Sequence, residues 1–242
     1  PTYYPLKAVQ NASRSTNRRM VAVDSNGVFP MSWTDRAYPT AHGFRRFVHL
    51  RFVECMDTWP QFHPIPKGKD LWMSDELFEQ LSPDWDAKVT PFEWLWRVGE
   101  NGSSGREALS TIDIDHSIPP VSQSRGGRST AVRMLHEFLS NRLHRYADDR
   151  NAVSKPATSG LSPWFHFGHI STIEIVQEIL QSNSWDPETI QMPRKGSREG
   201  WWNLDRAVEG FLDQIITWRE LGFNNAYHLP KHDTYESLPN WA

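Results

Sequence analysis

The 242 residues carry a net charge of −3, so no global positive field exists and any site for a polyanion has to be a local patch. The length suffices for a substantial core in one or two domains. A single cysteine, Cys55, excludes an intrachain disulfide framework, and no stretch approaches the ~18 apolar residues of a membrane span. With neither a basic head nor an apolar run at its start, the chain reads as soluble and cytoplasmic. Twelve tryptophans are a heavy load of a residue that anchors cores, and packing is the reading adopted for most of them.

The elements follow in chain order. "MVAVDSNGVFPMS" sets two short apolar runs around a turn signal at Asp24–Gly27, which predicts a strand or hairpin. Phe44, Phe47, Val48 and Phe52 recur at helical spacing behind Thr40 as a cap. Prolines 60, 64 and 66 mark a linker, followed by short helices at "SDELFEQL" and "TPFEWLWRVG", the second with a capping box at Thr90 and Glu93. Residues 103–124 read as loop. A helical stripe of Val132, Leu135, Phe138, Leu139 and Tyr146 then runs from about Ser129 to Tyr146. Ile170, Ile173, Val176 and Leu180 predict another helix, capped by Ser171 with Glu174 three residues on. After a loop over 183–203, a last long helix is expected from about Asp205 to Gly222, where the glycine suits its end.

Between the two central helices lies "TSGLSPWFHFGHIS", residues 158–171. Ser162 before Pro163 is a helix-start pair, and Thr158, Ser159 and Gly160 add hydroxyls and an unhindered backbone. Hydroxyls, free amides and a helix start suit an anion, phosphate above all; a well-capped helix that binds nothing accounts for the same residues. On the last helix, at ~100° per residue, Phe211, Gln214 and Trp218 share one sector. Arg219 continues the apolar row of Val208, Leu212 and Ile215, so it calls for a carboxylate or phosphate partner. His166 and His169 have metal-like spacing without a third ligand and read as structural.

The ordered series "RGGRSTAVRMLHEFL", "RYADDRN", "TSGLSPWFHFGHIS" and "FLDQIITWRELGFNN" resembles the DNA photolyase and cryptochrome family. The wording "SPWFHFG" and Trp-Arg-Glu-Leu is most similar to class II cyclobutane pyrimidine dimer photolyases and their bacterial relatives. The resemblance implies a mainly α fold. Residues 1–56 would be the C-terminal end of an α/β domain, 57–124 an interdomain linker with short helices, and 125–242 the first half of a helical FAD-binding domain. It assigns FAD-phosphate contacts to Thr158, Ser159, Gly160, Leu161 and Ser162, and a flavin contact to Tyr146. It also implies cofactor-cavity positions at Phe211, Gln214 and Arg219, and a substrate contact at Trp218. Gln214 stands where the family has glutamate.

The implied activity is light-driven, FAD-dependent repair of cyclobutane pyrimidine dimers in DNA, with Arg125, Arg128, Arg194, Lys195 and Arg198 as candidates for a backbone-binding face. The rest of the FAD domain and any antenna pigment are expected to lie outside this chain, which alone is expected to be inactive. Two other readings stay open: a cryptochrome-like photoreceptor without repair, and a cofactor-free helical interaction module. Hydrolase and nucleotide-loop signatures are absent.

Overall fold

The computed structural model describes residues 3–60, 113–119, 121, 124–190 and 195–238. Among them every regular element is helical. They comprise α1 (Tyr3–Ser15), α2 (Ala41–Met56), α3 (Arg128–Asn141), α4 (Tyr146–Asp149), α5 (Ser162–His166), α6 (Thr172–Ser182), α7 (Arg206–Leu212) and α8 (Arg219–His228). A π-helical stretch, Asp213–Trp218, joins the last two into one continuous rod. The chain divides into two compact units, residues 1–59 with 126–242 and residues 60–125. In the second, the expected helices near 74–81 and 90–99 lie outside the described residues.

Two capping predictions hold at the atomic level. Thr40 accepts from the Gly43 amide at 3.2 Å to start α2, and Ser171 accepts from the Glu174 amide at 3.1 Å to start α6. The Glu174 carboxylate instead takes both Nη atoms of Arg128 at 2.7 Å, which ties the first turn of α3 to that of α6. The predicted stripe from 129 to 146 is a helix to Asn141, a 3-10 turn at Leu143–Arg145, and the short α4. Its Leu135, Phe138 and Tyr146 are buried as the pattern requires.

One core serves the first unit. Phe44, Phe47, Val48 and Phe52 on α2 join Val28 and Phe29 before it, and Phe52 meets the edge of Trp202 at 4.6 Å. Ile175, Val176, Ile179 and Leu180 of α6 and Val208, Phe211, Leu212 and Ile215 of the long rod complete it. Of the seven tryptophans among the described residues, only Trp218 is exposed; the others pack.

Three sequence expectations are corrected. No strand or hairpin forms over residues 20–32, because the amides that a strand partner would bond go elsewhere. Val28 and Phe29 donate to the Glu220 carboxylate at 2.5 and 3.2 Å, and Met31 donates to Asp24 at 3.0 Å. The long rod does not end at Gly222. Asn224 accepts from the Tyr38 amide at 2.8 Å and donates to the Arg36 carbonyl at 3.0 Å. His228 Nε2 lies 2.7 Å from Thr34 Oγ1, so tertiary bonds hold the extra turns to His228. Ser162 does not cap α5, whose side-chain cap is empty; Ser159 Oγ accepts from the Leu161 amide at 3.3 Å one step earlier.

A further constraint sits in the loop before the rod. Gly196 has φ +81°, and a Cβ there would stand 2.6 Å from both the His42 carbonyl and Arg46 Cγ. Gly196→Ala is therefore expected to lower folding stability by about 2 kcal/mol or more, read as a lower urea midpoint with an unchanged slope.

Candidate functional site

The hydroxyl-rich loop is held by arginines from the helices before it. Arg142 Nη1 donates to the Thr158 carbonyl at 2.9 Å while its other Nη pairs with Glu137. Arg145 Nη2 donates to the Lys155 carbonyl at 3.0 Å, with its Nε on Asp149 at 2.7 Å. The Ala157 amide closes the loop on the Asp149 carbonyl. Thr158, Gly160 and Ser162 are exposed, Ser159 is half-buried, and Leu161 is fully buried as the anchor. Gly160 has φ +70°, with open space where a Cβ would be, so its backbone is left free for an incoming group.

Arg142→Met should raise amide exchange at residues 155–161 by about tenfold, the worth of one hydrogen bond to a charged group, while the global unfolding midpoint barely moves. Exchange mass spectrometry on the wild type and variant checks this.

The other candidate residues fall into two clusters. Tyr146 and Phe211 pack edge to face at 5.1 Å, with Phe138 4.7 Å from Phe211. Both are buried, and burial raises the Tyr146 hydroxyl above its ordinary range. Arg219 forms the second cluster. Its guanidinium carbon lies 4.6 Å from the Phe165 ring centre and 5.0 Å from Phe223, and Nη2 donates to the Asn26 carbonyl at 3.4 Å. The structure therefore brings Arg219 to the 158–171 motif through Phe165. The partner expected for it from sequence is a carboxylate or phosphate; among the described residues no carboxylate forms an ion pair with it, and two aromatic faces and a carbonyl surround the group. Its buried Nε has no hydrogen-bond partner there.

Gln214 and Trp218 lie within the π-helical stretch. Wider turns rotate successive side chains by less than 100°, so the sector drawn on ideal α geometry does not carry through: Phe211 is buried, Gln214 half-buried and Trp218 52% exposed. His169 accepts from the Gly127 amide at 3.1 Å, and His166 packs its ring edge to face on Phe167 at 4.7 Å. Among the described residues no cluster of three or more His, Cys, Asp or Glu could hold a metal ion. Of the candidate DNA-facing cations, Arg125, Lys195 and Arg198 are exposed, Arg128 is engaged by Glu174, and Arg194 lies outside the described residues.

Sequence reasoning missed three buried acids on the rod. Glu209 accepts from the Gly200 and Leu204 amides, Asp213 from Arg45, and Glu220 from Val28 and Phe29. Their only signal was position: acids interrupting a helix whose neighbours at 208, 212, 215 and 216 are apolar.

Taken together, these features describe a helical domain with a hydroxyl-rich loop beside an aromatic–guanidinium cluster. No family model matches the chain. Four curated proteins do, and those named here are deoxyribodipyrimidine photo-lyases. The chain is 29% identical over 226 residues to that of Potorous tridactylus, covering 92% of this chain and 34% of the relative. It is 27% identical over 227 residues to that of Arabidopsis thaliana, covering 91% and 37%. To that of Oryza sativa subsp. japonica it is 30% identical over 130 residues, covering 52% and 22%. The chain thus spans about a third of the length of the first two relatives. Among the described residues no helix is long and apolar enough to cross a membrane.

Proposed function

We propose that this chain is part of an FAD-dependent photolyase that repairs cyclobutane pyrimidine dimers in DNA, of the class II type. The observation that carries this reading is the alignment with photo-lyases over more than nine-tenths of the chain, which includes the loop at 158–162 and Arg219. The residues fit the cofactor's phosphates on independent physical grounds. The buried Arg219 Nε lacks a partner, Thr158 and Ser162 are exposed, and Gly160 leaves room for close backbone approach.

In this reading Thr158, Ser159, Gly160, Leu161 and Ser162 hold the FAD phosphates, and Arg142 fixes that loop from behind. Arg219 supplies charge, held in place by Phe165 and Phe223. Tyr146, Phe211 and Gln214 bound the cofactor cavity, and Trp218, on the exposed side of the π stretch, meets the flipped lesion. When bound, the flavin supplies light absorption and electron donation, while the protein supplies binding, orientation and electrostatics. The reading assigns DNA-backbone contacts to Arg125, Lys195 and Arg198, each exposed, and salt-dependent binding follows from it.

The test uses the longer gene product that contains this chain. After incubation with FAD and desalting it should keep a flavin spectrum, and under blue light it should restore the 260 nm absorbance of ultraviolet-treated oligo(dT). Ser159→Ala and Arg219→Gln should each lower retained flavin several-fold. Absence of both flavin and light-dependent repair would sink the reading; flavin retention with photoreduction but no repair would move it to a photoreceptor.

A further inference from the structure

A second concentration of positive charge shares no residue with the loop or with Arg219. A groove of about 490 Å³ runs between one face of α2 and the segment that precedes it. Arg36, Arg46 and Arg51 line it, with Asp35 as the single acid. In a chain of net charge −3 that is a strong local excess, and Asp35 is already engaged by the Tyr38 hydroxyl at 3.2 Å. Neither Arg36 nor Arg46 forms an ion pair among the described residues. Arg51 pairs with Glu54 through Nη1 at 3.1 Å, yet its Nε is buried with no hydrogen-bond partner.

Two of the three guanidinium groups are also held in place. Arg51 lies 4.8 Å over the Trp33 ring and Arg36 lies 5.3 Å over Tyr38, so cation–π contact limits the freedom that binding would otherwise have to remove. The stem of Arg46 packs on Gly196, where no side chain fits. Planar forks match phosphate oxygens in pairs, which lysine does not do. Phe47 and Leu50 add apolar lining, and the volume falls in the range of small-molecule sites.

We propose that this groove binds an organic phosphate, a phosphate monoester carried on a flat apolar body. Arg36, Arg46 and Arg51 take the phosphate oxygens, and the Phe47–Leu50 side takes the body. The site shares no residue with the proposed FAD loop.

Calorimetric titration of the protein with AMP, adenosine and inorganic phosphate tests it. AMP should bind with a sub-millimolar Kd that weakens with salt, and each half of the molecule should bind at least tenfold more weakly. Arg46→Gln and Arg51→Gln should each weaken AMP about tenfold, and Arg46→Lys should not restore it. Since Arg46 is exposed, its variant should keep the fold. On the wild type, AMP should also protect Arg36, Arg46 and Arg51 from phenylglyoxal, mapped by mass spectrometry. The proposal is overturned if AMP does not bind, if inorganic phosphate binds as tightly, or if Ser159→Ala rather than Arg46→Gln abolishes binding.

Discussion

Asp213→Ala is expected to cost about 3–5 kcal/mol of folding stability, the usual penalty for removing one partner of a buried ion pair. Arg45 Nε and Nη2 donate to the two Asp213 oxygens at 2.8 and 3.3 Å, and only 11% and 4% of the two side chains are exposed. The remaining Arg45 Nη1 donates to the Gly196 carbonyl at 3.1 Å, and the Gly196 amide donates to His49 Nδ1 at 3.3 Å. Removing the carboxylate leaves a guanidinium in the core with one hydrogen-bonding carbonyl. The lesson of the pair is in the double variant. Arg45→Met with Asp213→Leu removes both charges and fills their volume, so it should recover most of the loss, because burial of the pair costs desolvation that apolar side chains do not. Urea unfolding of the two single variants and the double variant measures the coupling. A double variant as unstable as Asp213→Ala would show that the hydrogen bonds to Gly196, rather than the unpaired charge, dominate. Asp213 also opens the π stretch, so its loss should alter how Gln214 and Trp218 are presented.

How much of this was legible in the sequence depends on how local each feature is. Helices α2 and α6 were readable because their periodicity and their caps, Thr40 and Ser171, are encoded within a few residues. The turn around Asn26 was misread because apolar residues on both sides of Asp-Ser-Asn-Gly imitate a hairpin, while the bonds that decide its shape come from Glu220, some 190 residues away. Pairing over that distance leaves no periodic trace. Position offers a weaker one. Arg45 and His49 are polar residues one turn apart on the buried side of α2, beside Phe52, and such a pair in a core needs partners.

The rod shows the same division. Its existence followed from the apolar row at 208, 212 and 215, but a π stretch has no accepted sequence signature and changes which side chains face together. The loop at 158–162 and Arg219 were singled out separately. Phe165, which carries no signal of its own in the sequence, joins them.

Glu220 gives the protein an unusual response to alkali. Its side chain is fully buried, and burial pushes its carboxyl up to about 8, against the lowering effect of the Val28 and Phe29 amides and of Arg219. The folded state therefore holds this proton more tightly than the unfolded chain, whose carboxyl titrates near 4.5. The stability this supplies is complete below pH 4.5 and is lost as pH rises through 8, by a few kcal/mol in all at about 1.4 kcal/mol per unit. His49 works in the other direction. Burial holds its imidazole down at about 4, and Nδ1 accepts the Gly196 amide, so its contribution is present above pH 6.5 and is lost as pH falls toward 4. Glu220→Gln removes the first effect and leaves the second. The variant starts lower, since its amide puts an NH2 donor where one of the two acceptor oxygens stood, and Gly27, where an added Cβ would lie 2.7 Å from the Glu220 carboxyl carbon, leaves no slack for the side chain to move. The expected result is a stability difference between wild type and Glu220→Gln that shrinks steadily from pH 5 to pH 9 in urea unfolding. A difference that stays flat over that range would mean that the two amide bonds keep Glu220 ionised throughout, and that its role is to anchor residues 26–29 as a permanent anion.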